Sequence, residues 1–321
     1  MLKSSVTPTP PDGLLIELVT PLTATGDLDA EGLSRLVERV APYAAGIVAA
    51  SPGLGEALGL PDSVRRELFS GLLKQWPGPG PLFFGVTADT QEQTGDLIQR
   101  FEAECRSRHY DYQIHWLDLP LWYHSNRGLP QYYRQLLGTL RHPLILLNQP
   151  EIIRERTRPW KHHNLRTAVV KKLTDLPEIR GMIFRGKMER FLNYHRAAGG
   201  RPDFAIYEGD ESRFLTRPGA WGIISPGAQL FPSAWQAVTQ ACLHPEKVAD
   251  LKLPQAKLWQ LSQQLLELAQ CYLHQPAALL KTALQALGVI KHDTTCPATV
   301  PAAPGLKKKL LDFLTRMEVL R

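Results

Sequence analysis

The sequence predicts a closed (β/α)8 barrel, the TIM-barrel architecture, carrying a C-terminal helical extension. Two observations lead to that class. Apolar runs of strand length alternate with segments of helical periodicity from Gly13 onward, through eight successive units. Beyond about residue 245 the alternation stops, and only helical segments follow. Eight strand–helix units of this length favour a closed barrel over an open doubly wound sheet.

Taken in order, LLIELVTP (14–21) is a continuous apolar run closed by Thr20-Pro21, the pattern of a strand buried on both faces. Asp29 can cap the following helix, in which Leu33, Leu36, Val37 and Val40 share one face at i, i+3, i+4, i+7. GIVAAS (46–51) is the second strand, and PDSVRRELFSGLLKQW (61–76) is its helix, with Pro61 near the start. PLFFGVTA (81–88) is the third strand, followed by the helix TQEQTGDLIQRFEAEC (90–105). DYQIHWLDLP (111–120) is the fourth, leading to a helix through QYYRQLLGTLRH (131–142). After PLILLNQP (143–150), the fifth strand, helical pattern resumes only at about Leu165.

GMIFRGK (181–187) contains strand six and KMERFLNYHRAA (187–198) its helix, while DFAIYEGD (203–210) and WGIISPG (221–227) supply strands seven and eight. Helices at about 255–274, 276–288 and 305–319 form the extension, and the Pro/Ala stretch from Ala298 to Pro304 reads as a hinge. The expected organisation is a Pro/Thr-rich arm at 1–12, a barrel at 13–245 and a helical extension at 246–321.

Composition narrows the class of function. The 321 residues are 44% hydrophobic, enough for a substantial core and too apolar for disorder. The four cysteines (Cys105, Cys242, Cys271, Cys296) are far apart with no CxxC pair, which speaks against a zinc site or a disulfide framework and for a reducing compartment. No apolar run reaches the roughly 18 residues of a membrane helix. The first dozen residues lack the apolar centre of a signal peptide, so a cytoplasmic protein with no membrane partner is expected. The net charge of +6 is not laid out as a basic stripe interleaved with aromatics, so nucleic acid is not the expected partner. An enzyme with a small anionic ligand suits this charge better.

In a barrel of this kind the functional residues stand at the C-terminal ends of the strands. Several of those ends match a known pattern. LLIELVTPL followed by GDLDAEGLSRLVERV, then GIVAASPGLGEALGLPDSVRRELF, PLFFGVTADTQEQTGDLI, PLILLNQP, FAIYEGDES, WGIISPGAQLFP and KTALQALG, together resemble the dihydrodipicolinate synthase / N-acetylneuraminate lyase family over nearly the whole chain. The resemblance implies a class I aldolase in which a strand-six lysine forms a Schiff base with a 2-oxo acid such as pyruvate. It further implies a proton-relaying tyrosine in a Tyr-Asn-x-Pro motif on strand five and a Gly-Thr-Thr-Gly-Glu turn after strand two that holds the substrate carboxylate. It implies a homo-oligomer and no cofactor.

The chain departs from that pattern at each catalytic position. Leu147 stands where the tyrosine is expected, in Leu147-Asn148-Gln149-Pro150. The turn is Pro52-Gly53-Leu54-Gly55-Glu56, without either threonine. The lysine position falls on Ile183, or on Phe184 if the register slips by one. Lys187 lies three or four residues further on, roughly 10–13 Å of extended chain. It is a candidate displaced amine or the solvated first residue of a helix, and the pattern favours the second.

The expectation is therefore a family barrel that has lost Schiff-base chemistry and binds a small anion such as an oxo acid, a sugar acid or a phosphate. The alternative is an active carbon–carbon lyase or aldolase using Lys187. Ligand-binding candidates are the backbone amides of Gly53, Leu54 and Gly55, which can form an anion nest, and Tyr123 near the family's inter-subunit tyrosine. Arg154, Arg156 and Arg158 join them from the basic segment EIIRERTRPWKHHNLR (151–166), read as a strand-to-helix loop at the mouth. Trp122 and Tyr123 suit a packed self-association surface. Glu208, Asp210 and Glu211 form an acidic cluster, with Arg185 and Arg213 as available partners. The adjacent pair His162-His163 is not expected to bind metal.

Overall fold

The computed structural model describes residues 9–76, 78, 80–110, 113–156, 162–214, 220–247 and 253–317. Eight parallel strands close in sequence order: β1 (Gly13–Glu17), β2 (Gly46–Ala49), β3 (Leu82–Gly85), β4 (Ile114–Asp118), β5 (Leu144–Asn148), β6 (Ile179–Phe184), β7 (Ala205–Glu208) and β8 (Gly222–Ser225), with β8 pairing back to β1. The barrel is the one the sequence predicts. The strands are shorter than the apolar runs, because each run continues past its last ladder bond into the turn at the mouth.

Local chemistry accounts for the helix starts. Asp29 accepts a hydrogen bond from Gly32 N at 2.9 Å and opens α1 (Ala30–Val40). Proline sits at the start of α2 (Asp62–Gln75), where a missing N–H costs nothing. Thr90 caps α3 (Gln91–Ser107) through Gln93 N at 3.2 Å. The remaining barrel helices are α4 (Leu129–Leu137), α5 (Pro150–Arg156), α6 (Thr167–Thr174), α7 (Met188–Ala198), α8 (Glu211–Phe214) and α9 (Pro232–Leu243). The basic segment after β5 is therefore not all loop: its first part is α5, and residues 157–161 lie outside the described residues. A proline at the first helical position and a run of helix-compatible residues account for that turn.

Side chains alternate between the barrel interior and the helix layer. Phe83 stacks on His115 and meets Tyr207 edge-on across the interior, at ring centroid distances of 4.8 and 6.1 Å. The next residue, Phe84, packs outward on Phe69 of α2 and Phe101 of α3. This parity decides which mouth residues face the site.

Three further helices, α10 (Gln255–Tyr272), α11 (Pro276–Ala286) and α12 (Pro304–Arg316), form the extension. Their apolar residues, among them Leu265, Leu268, Leu279, Leu280 and Leu310, belong to the same core cluster as the strands. A buried ion pair fastens them to the mouth: Lys281 Nζ of α11 bonds Glu56 of the turn after β2, and both side chains are almost fully buried. Among the described residues no helix is long and apolar enough to cross a membrane.

Candidate functional site

The register of β5 against β6 pairs Leu147 with Ile183 and Asn148 with Phe184. Phe184 faces outward, against Phe191 and Tyr194 of α7 at 5.7 and 5.4 Å. Ile183 faces inward; a Cβ on Gly209 would lie 3.1 Å from its Cγ2. The residue occupying the expected lysine direction is therefore Ile183, and its inward neighbour is Leu147. Both are 2% exposed. Neither can form an imine or carry a proton.

Two residues beyond Ile183, and so on the same face, comes Arg185. Its Nη1 lies 3.3 Å from Glu151 Oε1 at the start of α5. Gly209 leaves room for it, since a Cβ there would be 2.9 Å from Arg185 Cγ. Burial pulls the guanidinium's pKa down, but the charges of Glu17, Glu151 and Asp210 outweigh it and hold the group above its ordinary value. Glu17 stands on β1, 3% exposed; burial raises its carboxyl pKa, opposed by the Arg185 charge and a Ser51 hydroxyl.

Above this pair opens a cavity of about 460 Å³ between the β5, β6 and β7 turns and the α10–α11 junction. Its wall includes the cations Arg154, Arg185, Lys187 and Arg213 and the acids Glu151, Asp210 and Glu211. Asp210 pairs with Arg213 Nε at 3.1 Å. Glu211 is 6% exposed: its Oε1 accepts from Ser225 Oγ and, at 2.8 Å, from Gly227 N, and its Oε2 accepts from Tyr272 Oη of α10. Burial pushes this carboxyl up to about 7 against the pull of those donors. The Tyr272 phenol is raised well above its usual value by burial and by the Glu211 charge.

The other expected residues divide. Lys187 is exposed at the N-cap of α7 and reaches the cavity rim, away from the barrel interior. Arg154 lines the cavity. Arg156 ends α5, and Arg158 lies outside the described residues. Of the three amides expected to form a nest, that of Gly55 is taken, donating to Ser51 Oγ at 2.9 Å, and the Leu54 side chain is buried in the core. The Ser51 hydroxyl, two residues before Gly53, satisfies the donor first. Tyr123 is drawn away as well, its hydroxyl donating to the buried Asp118 at 2.5 Å, and it is not part of the cavity wall. Glu56 closes its turn in a left-handed conformation (φ 56°) and is committed to Lys281, Cys296 N and the Thr299 hydroxyl.

Sequence reasoning missed Glu17 and Tyr272. A carboxylate inside the apolar run LLIELVTP was a visible signal for the first. Nothing local marked Tyr272, which reaches the mouth only because α10 folds back over it.

A family model, the dihydrodipicolinate synthetase family, matches residues 10–316. The chain belongs to that family. It is 25% identical over 297 residues to the 4-hydroxy-tetrahydrodipicolinate synthase of Methylococcus capsulatus, covering 91% of this chain and 94% of that one. To the enzyme of the same name from Sodalis glossinidius it is 26% identical over 289 residues, 88% of this chain and 90% of the relative. Among solved structures, the dihydrodipicolinate synthase of Thermotoga maritima superposes with a TM-score of 0.79 at 18% identity, over 97% of this chain and 99% of that chain. The Acinetobacter baumannii synthase complexed with pyruvate gives 0.77 at 21% identity, over 96% and 99%. These structural likenesses bear on the fold.

Proposed function

We propose that this family member binds a small anion at the barrel mouth (an oxo acid, a sugar acid or a phosphate) and does so without Schiff-base chemistry. The observation that carries the reading is the β6 sequence in place: Ile183 occupies the inward position, and a charged guanidinium, Arg185, follows on the same face. The wall holds four cations, Arg154, Arg185, Lys187 and Arg213, against the carboxylates of Glu151 and Asp210 and a third, Glu211, whose pKa near 7 leaves it only partly charged at neutral pH. An excess of positive charge in a partly enclosed cavity favours an anionic ligand. The pyruvate complex of the Acinetobacter relative makes pyruvate a sensible first probe.

Two measurements test the reading. Oxo acids, sugar acids and phosphate are screened by thermal shift, because a ligand of the native state raises the melting temperature. Arg185→Gln should weaken the responding anion by about tenfold or more, since a charge-assisted bond contributes about 1.5–3 kcal/mol. Absence of any shift in the wild type, or an unchanged response in the variant, rejects the site. Borohydride reduction in the presence of pyruvate should leave the intact mass unaltered.

A second reading has one observation in its favour: Lys187 borders the cavity. A reduced adduct mapped to Lys187 would replace the first reading with a displaced-lysine lyase.

A further inference from the structure

Among the groups around the mouth cavity, one pair is built more elaborately than anion binding requires. Tyr272 ends α10, is 2% exposed, and contributes to the cavity wall. Its phenol donates to Glu211 Oε2. The other carboxylate oxygen is held by Ser225 Oγ and by Gly227 N at 2.8 Å, and Ser225 Oγ in turn accepts from Ala228 N at 3.0 Å. The carboxylate is thus oriented by two donors on one oxygen while the second oxygen meets the phenol. Gly227 permits the arrangement: a Cβ there would collide with Tyr272 Oη and sit 3.0 Å from Glu211 Oε1. The charge of Arg185 acts on both members.

We infer that Tyr272 and Glu211 form a proton-transfer couple, acting on an anionic ligand whose carbon next to a carbonyl carries an exchangeable C–H. The inference rests on the anion-binding reading of the same cavity. A nucleophile or relay, an adjacent base and a group that orients the base are the parts such chemistry needs. In the forward step the C–H bond breaks and its electron pair becomes the enolate. The proton passes to Tyr272 Oη as the phenol's own proton moves to Glu211 Oε2. Arg185 faces the developing oxyanion with a fixed positive charge, as electrostatic stabilisation requires. The reverse step returns a proton from the couple to carbon, so the net event is exchange with solvent and no further reactant is consumed. Tyr272 and Glu211 are themselves 2% and 6% exposed, and in such buried surroundings these interactions are stronger than in water. A carboxyl raised to about 7 accepts and releases a proton near neutral pH.

The full chain is incubated with pyruvate in deuterated water, and loss of the methyl proton signal is followed by NMR. The wild type should exchange the methyl protons faster than buffer, with a rate that rises with pH through an inflection near 7. Tyr272→Phe and Glu211→Gln should each slow exchange by about 100-fold or more, the usual contribution of a positioned acid or base. Their melting temperatures are recorded alongside; if either variant is destabilised, the wild-type pH profile still decides, and a flat profile overturns the couple. Exchange that survives both substitutions overturns it, as does exchange abolished by borohydride with an adduct on a lysine. If pyruvate raises the melting temperature but no exchange exceeds buffer, the couple fails while the anion-binding reading stands. If pyruvate gives neither a shift nor exchange, the couple fails, and the anion-binding reading falls with it only when the screen of oxo acids, sugar acids and phosphate is silent as well.

Discussion

His115 stacks on Phe83 inside the barrel, and neither of its ring nitrogens has a hydrogen-bond partner. Burial, with smaller contributions from His142 and Arg180, lowers its pKa to about 3. The unfolded chain protonates this ring near pH 6.5, whereas the folded chain resists until about 3, so acid favours unfolding. Stability should therefore be complete above 6.5 and fall as pH drops from 6.5 towards 3. The slope from this single group approaches about 1.4 kcal/mol per pH unit. His115→Leu should flatten that part of the curve, measured by guanidinium unfolding at several pH values; an unchanged slope would assign the acid sensitivity to other groups. Phe184 offers a second test at this scale. Its ring is fully buried against Phe191 and Tyr194, so Phe184→Ala should cost about 3–5 kcal/mol through the cavity it leaves. A loss below about 1 kcal/mol would contradict the outward placement of the ring.

At the scale of elements, the turn after β2 and helix α11 depend on each other. Glu56 receives Lys281 Nζ, Cys296 N at 2.8 Å and the Thr299 hydroxyl at 2.6 Å, so one carboxylate ties three points of the extension to the barrel. Removing one partner of a buried pair leaves an uncompensated charge and typically costs about 3–5 kcal/mol. Lys281→Met should lower stability by that order in equilibrium unfolding, and adding Glu56→Gln should recover part of it. Equal stability of the single and double variants would mean that the buried charge is not what the lysine compensates. In the sequence, the amides of Gly53 to Gly55 stood out as the functional part of this turn; in place, the neighbouring Glu56 carboxylate is an anchor. Lys281 is 225 residues away in the chain, and no local pattern announces such a partner.

The molecule as a whole buries the extension and the barrel in one core, and polar contacts cross the boundary, among them Glu56–Lys281, Glu211–Tyr272 and Glu31–Lys291. A chain ending at residue 245 would expose the apolar residues that α10, α11 and α12 cover and would leave Glu56 and Glu211 without those partners. It should be insoluble or lack a cooperative thermal transition, whereas the full chain should melt cooperatively. Soluble expression of 1–245 with an intact transition would show the barrel to be independent.

Eight apolar runs, the helical periodicity between them and the Thr-Pro and Gly-Glu strand ends were enough to read the barrel, its strand order and the family from the amino acids alone. Each of these follows from short-range chemistry: strand burial, capping and turn geometry act within a few residues. That Leu147 and Ile183 carry neither a phenol nor an amine was legible there too. What the residues around the mouth do was decided elsewhere. The parity of β6 sends Ile183 inward and Phe184 outward, and it brings Arg185 to the cavity beside Glu151. The Ser51 hydroxyl takes the Gly55 amide before any ligand can. Tyr272 reaches Glu211 across 61 residues because α10 returns over the mouth. Such pairings depend on where helices pack, and packing sums many weak contacts over the whole chain, so it leaves no mark in the local sequence.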